Sequence, residues 1–136
     1  MGELTVRIVT PNRELWDGAA GFVRVRTTDG QLGVLPGHEP LLASLADGGV
    51  VEVKPREGET VVAAVHGGFV SVDEDHVRVL ASVAELASEI DTKRAQDALE
   101  RAQRAVAAGD EGMEAAERRA SARLRAVGAI GPDVTL

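Results

Sequence analysis

The chain has 136 residues, no cysteine and a formal net charge of −7. Such a length supports one core, or one core with an appendage. The absence of thiols excludes disulfides and thiolate metal sites, and the acidic balance argues against nucleic acid or an anionic membrane held by net charge. No apolar run approaches the ~20 residues of a membrane span. Met1-Gly2-Glu3-Leu4 offers neither a basic region nor an apolar signal core, and Val6 stands where a myristoylation pattern needs Ser or Thr. These features predict a soluble protein without direct membrane insertion, whose contact with a membrane comes through a protein partner. Trp16, Phe22 and Phe69 are the only aromatic residues, too few for stacking on bases or sugars. The core must be built from Val, Leu, Ile and Ala.

Residues 4–10 alternate apolar and polar, as in a strand with one buried face. Pro11-Asn12 is a turn signal. Residues 13–17 read as a second strand carrying Leu15 and Trp16, the latter either core or an interface anchor. Gly18 and Gly21 flank a bulge or tight turn. Residues 22–27 alternate again, and Asp29-Gly30 is a hairpin turn. From Gly30 to Leu42, glycines and prolines interrupt a leucine-rich stretch. They predict a short strand, a forced corner at Pro36-Gly37, and a passage of the chain between two sheets. Further short strands are expected over 41–45, 50–54, 60–66, 69–72 and 76–83, separated by Asp47-Gly48-Gly49, Glu57-Gly58-Glu59, Gly67-Gly68 and Asp73-Glu74-Asp75. Strands at this spacing indicate an antiparallel sandwich or barrel.

The period then changes. From Ser88 glycine and proline disappear for twenty residues, and Ala95, Ala98, Leu99, Ala102, Ala105 and Val106 recur at helical spacing. Either Ser88 or Asp91 can cap this helix, and the pair resembles a capping box. Gly109 to Gly112 stops it. A second helix over 113–127 carries Met113, Ala116, Ala120, Leu124 and Val127 on one stripe, and Gly128, Gly131 and Pro132 end it. The expected organisation is α+β: an N-terminal antiparallel β-sandwich over 1–85, then an antiparallel two-helix hairpin over 86–136 with a short C-terminal tail. An alanine stripe keeps its helix readily but docks weakly, since a buried methyl contributes only ~0.8 kcal/mol. Such a hairpin can change partners at small cost.

No catalytic or metal constellation is visible. His38, His66 and His76 are scattered and read as neutral, hydrogen-bonded histidines, with His38 tying its corner to a nearby carbonyl. Gly67-Gly68 lacks the lysine and following helix of a phosphate loop and reads as a bend. The chain is therefore read as non-catalytic.

Gly33, Leu35, Pro36, Gly37, His38, Pro40, Leu41 and Leu42 fit an ordered glycine- and proline-rich signature. Gly67-Gly68-Phe69-Val70 and Ile90-Asp91-Thr92-Lys93-Arg94-Ala95 fit two more in the same order. Over about residues 3–127 the chain resembles the epsilon subunits of F-type ATP synthases. The resemblance implies a central-stalk rotor subunit bound to the gamma subunit and the c-ring, peripheral on the cytoplasmic face of the cell membrane. Its hairpin would extend among the catalytic alpha and beta subunits and inhibit ATP hydrolysis. It implies no required cofactor, and regulatory ATP at Ile90, Asp91, Arg94 and Ala95, with Arg123 or Arg125 as further contacts. It also places His38 and Glu39 near the rotor interface. Without it, Asp91 and Arg94 read as a helix cap with a local ion pair. Arg118, Arg119, Arg123 and Arg125 carry two readings: inhibitory contacts with an acidic partner surface, or a solvated face balanced by Glu111, Glu114 and Glu117. Asp29, Glu39 and Asp47 are taken as solvated turn acids, or as contacts for a basic partner. The alternatives for the whole chain are a ligand-binding or adaptor sandwich with a helical oligomerisation tail, which should show surface aromatics, and an enzyme, which should show grouped acid–base residues.

Overall fold

The computed structural model describes residues 2–128. The expected tail, with Gly131 and Pro132, lies outside them. Seven strands precede two helices: β1 Leu4–Val9, β2 Glu14–Thr27, β3 Gly30–Val34, β4 Leu41–Ser44, β5 Gly49–Pro55, β6 Val61–Asp73 and β7 His76–Leu86, then α1 Thr92–Ala107 and α2 Glu114–Ala126. β2 is long enough to serve three neighbours. Its first half pairs with β1 (Leu4↔Ala20, Ile8↔Trp16), its middle with β5 (Val23↔Val53) and its end with β3 (Val25↔Leu32). The register shifts between Ala20 and Phe22, a bulge at Gly21 that bends the strand from one neighbour to the next. β1 also pairs with β7 (Val6↔Val77), so β1, β7, β6, β5 and β2 close into a flattened barrel. That β1–β7 pair is parallel, where purely antiparallel pairing was expected. Closure requires it: four antiparallel pairings around five strands, β1–β2, β2–β5, β5–β6 and β6–β7, leave β1 and β7 pointing the same way.

The expected strands 60–66 and 69–72 are one continuous strand. Gly67 and Gly68 bend β6 without ending it, at φ values of +69° and +111°. Ala63 and Val65 face the core before the bend, Val70 and Val72 after it, so the inward face changes from odd to even positions. β7 makes the same change between Ala81 and Ala84. Pairing stays in step across the bend (His66↔Val83, Gly68↔Ala81). Beyond it, β6 exchanges β5 for β4 as its other neighbour. A Cβ at Gly68 would lie 2.0 Å from the Leu80 carbonyl oxygen, so no other residue fits. The core within is almost wholly Val, Leu, Ile and Ala, and Trp16 packs half-buried at its edge.

Between β3 and β4 the chain turns as expected and passes from β2 to β6. Gly37 holds φ at +88°, and its N–H donates to Asp75 Oδ1 at 2.7 Å, tying this corner to the β6–β7 turn. His38 Nδ1 donates to the Glu39 carbonyl at 2.6 Å.

Asp91, not Ser88, caps α1: its carboxylate accepts the Arg94 N–H at 3.0 Å. Ser88 lies in a single 3-10 turn over 87–89. α1 ends at Gly109 with the two reverse bonds of a Schellman motif, Asp110 N–H to Ala105 and Gly109 N–H to Val106. α2 then runs back between α1 and the strands, meeting α1 on one side and β5 and β6 on the other.

Candidate functional site at the hairpin seam

α2 has two buried faces. Ala120 and Leu124 form the expected stripe; Ala122 and Ala126, about 200° round the helix, form a second one that the sequence pattern did not suggest. The second stripe packs on Ala64, with Val50, Val62, Ala87 and Ile90 partly buried at the margin. This apolar contact is small. Its two helix methyls contribute about 2 kcal/mol at ~0.8 each.

Arginines frame it. Arg123 Nε donates to Glu85 Oε1 on β7 at 2.6 Å, and Arg118 Nε lies 3.4 Å from Asp47. Arg125 Nη2 donates to the Gly48 carbonyl at 2.5 Å. Among the described residues, two of the four arginines of α2, Arg118 and Arg123, find counter-charges on the body, in Asp47 of the β4–β5 turn and Glu85 of β7.

His66 lies within the seam, 5% exposed, and among the described residues neither ring nitrogen is hydrogen-bonded, where a hydrogen-bonded histidine was expected. Asp47 stands 3.8 Å away. Burial pushes the imidazole pKa down to about 4; Arg123 and Arg119 push the same way, against Asp47 and Glu85. His66 is therefore neutral when the hairpin is docked.

Beside the seam opens a cleft of about 400 Å³ lined by Glu85, Glu89, Ile90, Asp91, Arg94, Ala95, Ala98, Arg101 and Arg123. It brings together Ile90, Asp91, Arg94 and Ala95 with Arg123, one of the two further arginines expected there, and adds Arg101; Arg125, the other, lines a different cleft. Arg94, Ala98 and Arg101 share one face of α1 by their i, i+4, i+7 spacing. The expected Asp91–Arg94 side-chain ion pair is absent among the described residues: Asp91 meets only the Arg94 backbone. Glu89 is engaged by Arg13 at 2.8 and 2.7 Å. That bond, with the Leu86 N–H, keeps its carboxyl below the usual range. The volume suits a small organic ligand, and the α1 N-terminus with Arg94 and Arg101, which make no ion pair among the described residues, suits its anionic part.

Elsewhere, half-buried His38 and exposed Glu39 sit on the β3–β4 corner. Leu42, Phe69 and Leu80 are 71%, 51% and 45% exposed on adjacent strands β4, β6 and β7, with Phe69 directly opposite Leu80. This apolar surface lies past the glycine bend from the α2 contact.

Sequence reasoning overlooked Asp47, Glu85 and His66 as seam residues. One signal was present: residues 61–65 are apolar without alternation, which means cover on both faces of the strand. The second cover is α2.

A family model described as ATP synthase, Delta/Epsilon chain, beta-sandwich domain matches residues 3–87. The chain is 51% identical to an ATP synthase epsilon chain of Streptomyces avermitilis over 93% of its own length and 97% of that relative. It is 48% identical to that of Nocardia farcinica (92% and 90%) and 52% identical to that of Thermobifida fusca (91% and 91%). A chain in the Euglena gracilis mitochondrial ATP synthase superposes with a TM-score of 0.70 at 24% identity, covering 96% of this chain and 80% of that one, a likeness of fold. A closed seven-strand body, a docked helical hairpin and near full-length identity to several epsilon chains agree, and the chain belongs to the delta/epsilon family of ATP synthase subunits, as an epsilon chain.

Proposed function

We propose that the hairpin of this epsilon chain is a latched regulator of the rotor that carries it. An epsilon chain is a non-catalytic subunit of the F-type ATP synthase. It sits in the central stalk, couples the c-ring to gamma, and is a peripheral part of a membrane-associated complex, here assigned to the cytoplasmic face. The observation that carries the regulatory reading is the seam: two alanines on Ala64, framed by Arg118, Arg123 and Arg125. A contact this small, with its specificity in charge, releases at low cost. Released, the same arginines are free for acidic surfaces of the catalytic alpha and beta subunits, where the hairpin blocks hydrolysis.

ATP in the cleft of Ile90, Asp91, Arg94 and Ala95 favours the docked state, because Arg123 of α2 lines the same cleft as the start of α1. The free arginines take the phosphates; the second Asp91 oxygen accepts from an exocyclic amine. The Leu42–Phe69–Leu80 surface suits gamma, and the His38–Glu39 corner the c-ring.

Assembled complexes whose epsilon chain ends at Leu86 should hydrolyse ATP faster than complexes with the full chain. Equal rates would remove the inhibitory role. Calorimetric titration of the isolated chain with ATP should show binding that Arg94→Ala weakens about tenfold or more, the loss of one charge-assisted contact of ~1.5–3 kcal/mol. No binding at millimolar ATP would remove the nucleotide from the reading and leave the latch standing.

A further inference from the structure

A second cleft, of about 350 Å³, lies on the other side of α2. Arg24 and Arg26 of β2, Gln31 of β3, Val50 and Glu52 of β5 and Val62 of β6 form one wall. Arg125, Ala126, Val127 and Gly128 close it from the end of α2. Arg123 and Arg125 are about 200° apart on the helix, so this cleft shares no arginine with the one at Asp91.

We propose that this second cleft binds an organic phosphate, a phosphate monoester with a compact apolar body, and that its occupancy holds α2 against the strands. Three guanidinium groups face one carboxylate across the walls. Glu52 is committed to Arg24, at 3.8 Å. Among the described residues Arg26 and Arg125 have no carboxylate within ion-pairing distance. Arg125 spends Nη2 on the Gly48 carbonyl and leaves Nε buried without a partner. Burial, and the like charge of Arg26, both work against the Arg125 cation. Two half-buried like charges held together, one with an idle donor, are stabilised by an anion between them.

Charge selects the class of anion. Three arginines and one glutamate leave a balance of two positive charges. The C-terminus of α2 offsets about half a charge of that. A dianionic phosphate nearly neutralises the remainder, and a monocarboxylate does not. Arginine forks match two phosphate oxygens at once. Val50, Val62, Ala126 and Val127 supply an apolar wall with no polar group to satisfy, which suits the body of an ester better than a bare ion. Because Arg26 belongs to the strands and Arg125 to the helix, a ligand gripping both binds the docked hairpin better than the released one, and so shifts the balance toward docking.

The test titrates the full chain with phenyl phosphate and follows the Nε–Hε resonances of Arg26 and Arg125 by NMR, with benzoate as the monoanionic control. The expected result is saturable binding that moves both resonances and slows amide exchange in α2. Arg26→Gln and Arg125→Gln should each weaken it about tenfold or more, and Arg94→Ala should leave it unchanged. Benzoate should bind at least about tenfold more weakly. Because Arg26 makes no side-chain bond to the hairpin among the described residues, Arg26→Gln separates ligand contact from loss of docking. Unmoved Arg26 and Arg125 resonances would overturn the site. So would affinity equal to wild type in Arg26→Gln, loss of binding in Arg94→Ala, or benzoate binding as tightly. Unchanged α2 exchange at saturation would overturn the coupling.

Discussion

Arg123 of α2 meets Glu85 of β7 at 2.6 Å, and this bond spans the whole of α1 in sequence. Both side chains are about one-third exposed, so the pair is neither fully solvated nor fully dry. A double-mutant cycle of Glu85→Gln and Arg123→Gln should return a coupling of about 1 kcal/mol, the upper end for exposed pairs. The readout is amide exchange in α2, which should rise in each single variant while exchange in β1 and β7 stays unchanged. A coupling of zero would mean that the bond places the helix without holding it.

His66 makes docking sensitive to pH. Its imidazole has a pKa of about 4 when docked and regains about 6.5 when the hairpin leaves. The released state therefore binds the proton more tightly. Docking is at full strength above pH 6.5, weakens as pH falls from there toward 4, and the loss levels off below. The whole window is worth about 3 kcal/mol at ~1.36 kcal/mol per unit. Between pH 6.5 and 5, above the carboxylate range, α2 exchange should rise in the wild type and stay flat in His66→Leu. A flat wild-type profile would show that His66 stays buried when the hairpin moves.

Gly48 sits under the helix at φ +77°, where a Cβ would come 2.9 Å from the Arg118 carbonyl oxygen and 3.1 Å from its Cβ. Gly48→Ala adds backbone strain of about 1 kcal/mol and a clash with the backbone of α2. The predicted outcome is a lifted hairpin on an intact barrel: α2 amides exchange faster, while the barrel's thermal transition falls by only a few degrees. Unaltered α2 exchange would show that the seam tolerates the methyl.

Leu42, Phe69 and Leu80 are exposed, so replacing them costs the barrel little, within ~0.5 kcal/mol. Phe69→Ser with Leu80→Ser should leave melting unchanged yet weaken co-purification with gamma by at least about tenfold, as loss of a central apolar anchor does. Undiminished gamma binding would place that contact on another face.

The strand body was largely legible because alternation, glycine and proline report on backbone and burial directly. Gly21, Pro36-Gly37 and Gly67-Gly68 each mark a real bend. Three things escaped. The parallel β1–β7 closure joins segments about seventy residues apart, and no local pattern encodes that pairing. Glycines 67 and 68 look like a stop, yet the strand continues because β7 bends with it. Ala122 and Ala126 each adjoin an arginine, Arg123 and Arg125, and lie off the apolar stripe, so the seam looked like a solvated face. Of the cleft at Asp91, the contiguous motif was readable; Arg101 follows from the helical spacing of α1, two turns beyond Arg94, whereas Arg123 enters only through the antiparallel return of α2. Glu85 draws no reading from the sequence, and Asp47 reads as a solvated turn acid or a contact for a basic partner; only that return places arginines of the same chain against them.

The most direct test locks the hairpin. Ala64→Cys and Ala122→Cys replace two fully buried residues of the same apolar contact, and oxidation joins them in the assembled enzyme. With the disulfide formed, ATP hydrolysis should run at the rate of the complex lacking the hairpin, and reduction should restore inhibition. Inhibition that persists with the hairpin locked down would contradict the account, because the helices would then act without leaving the strands.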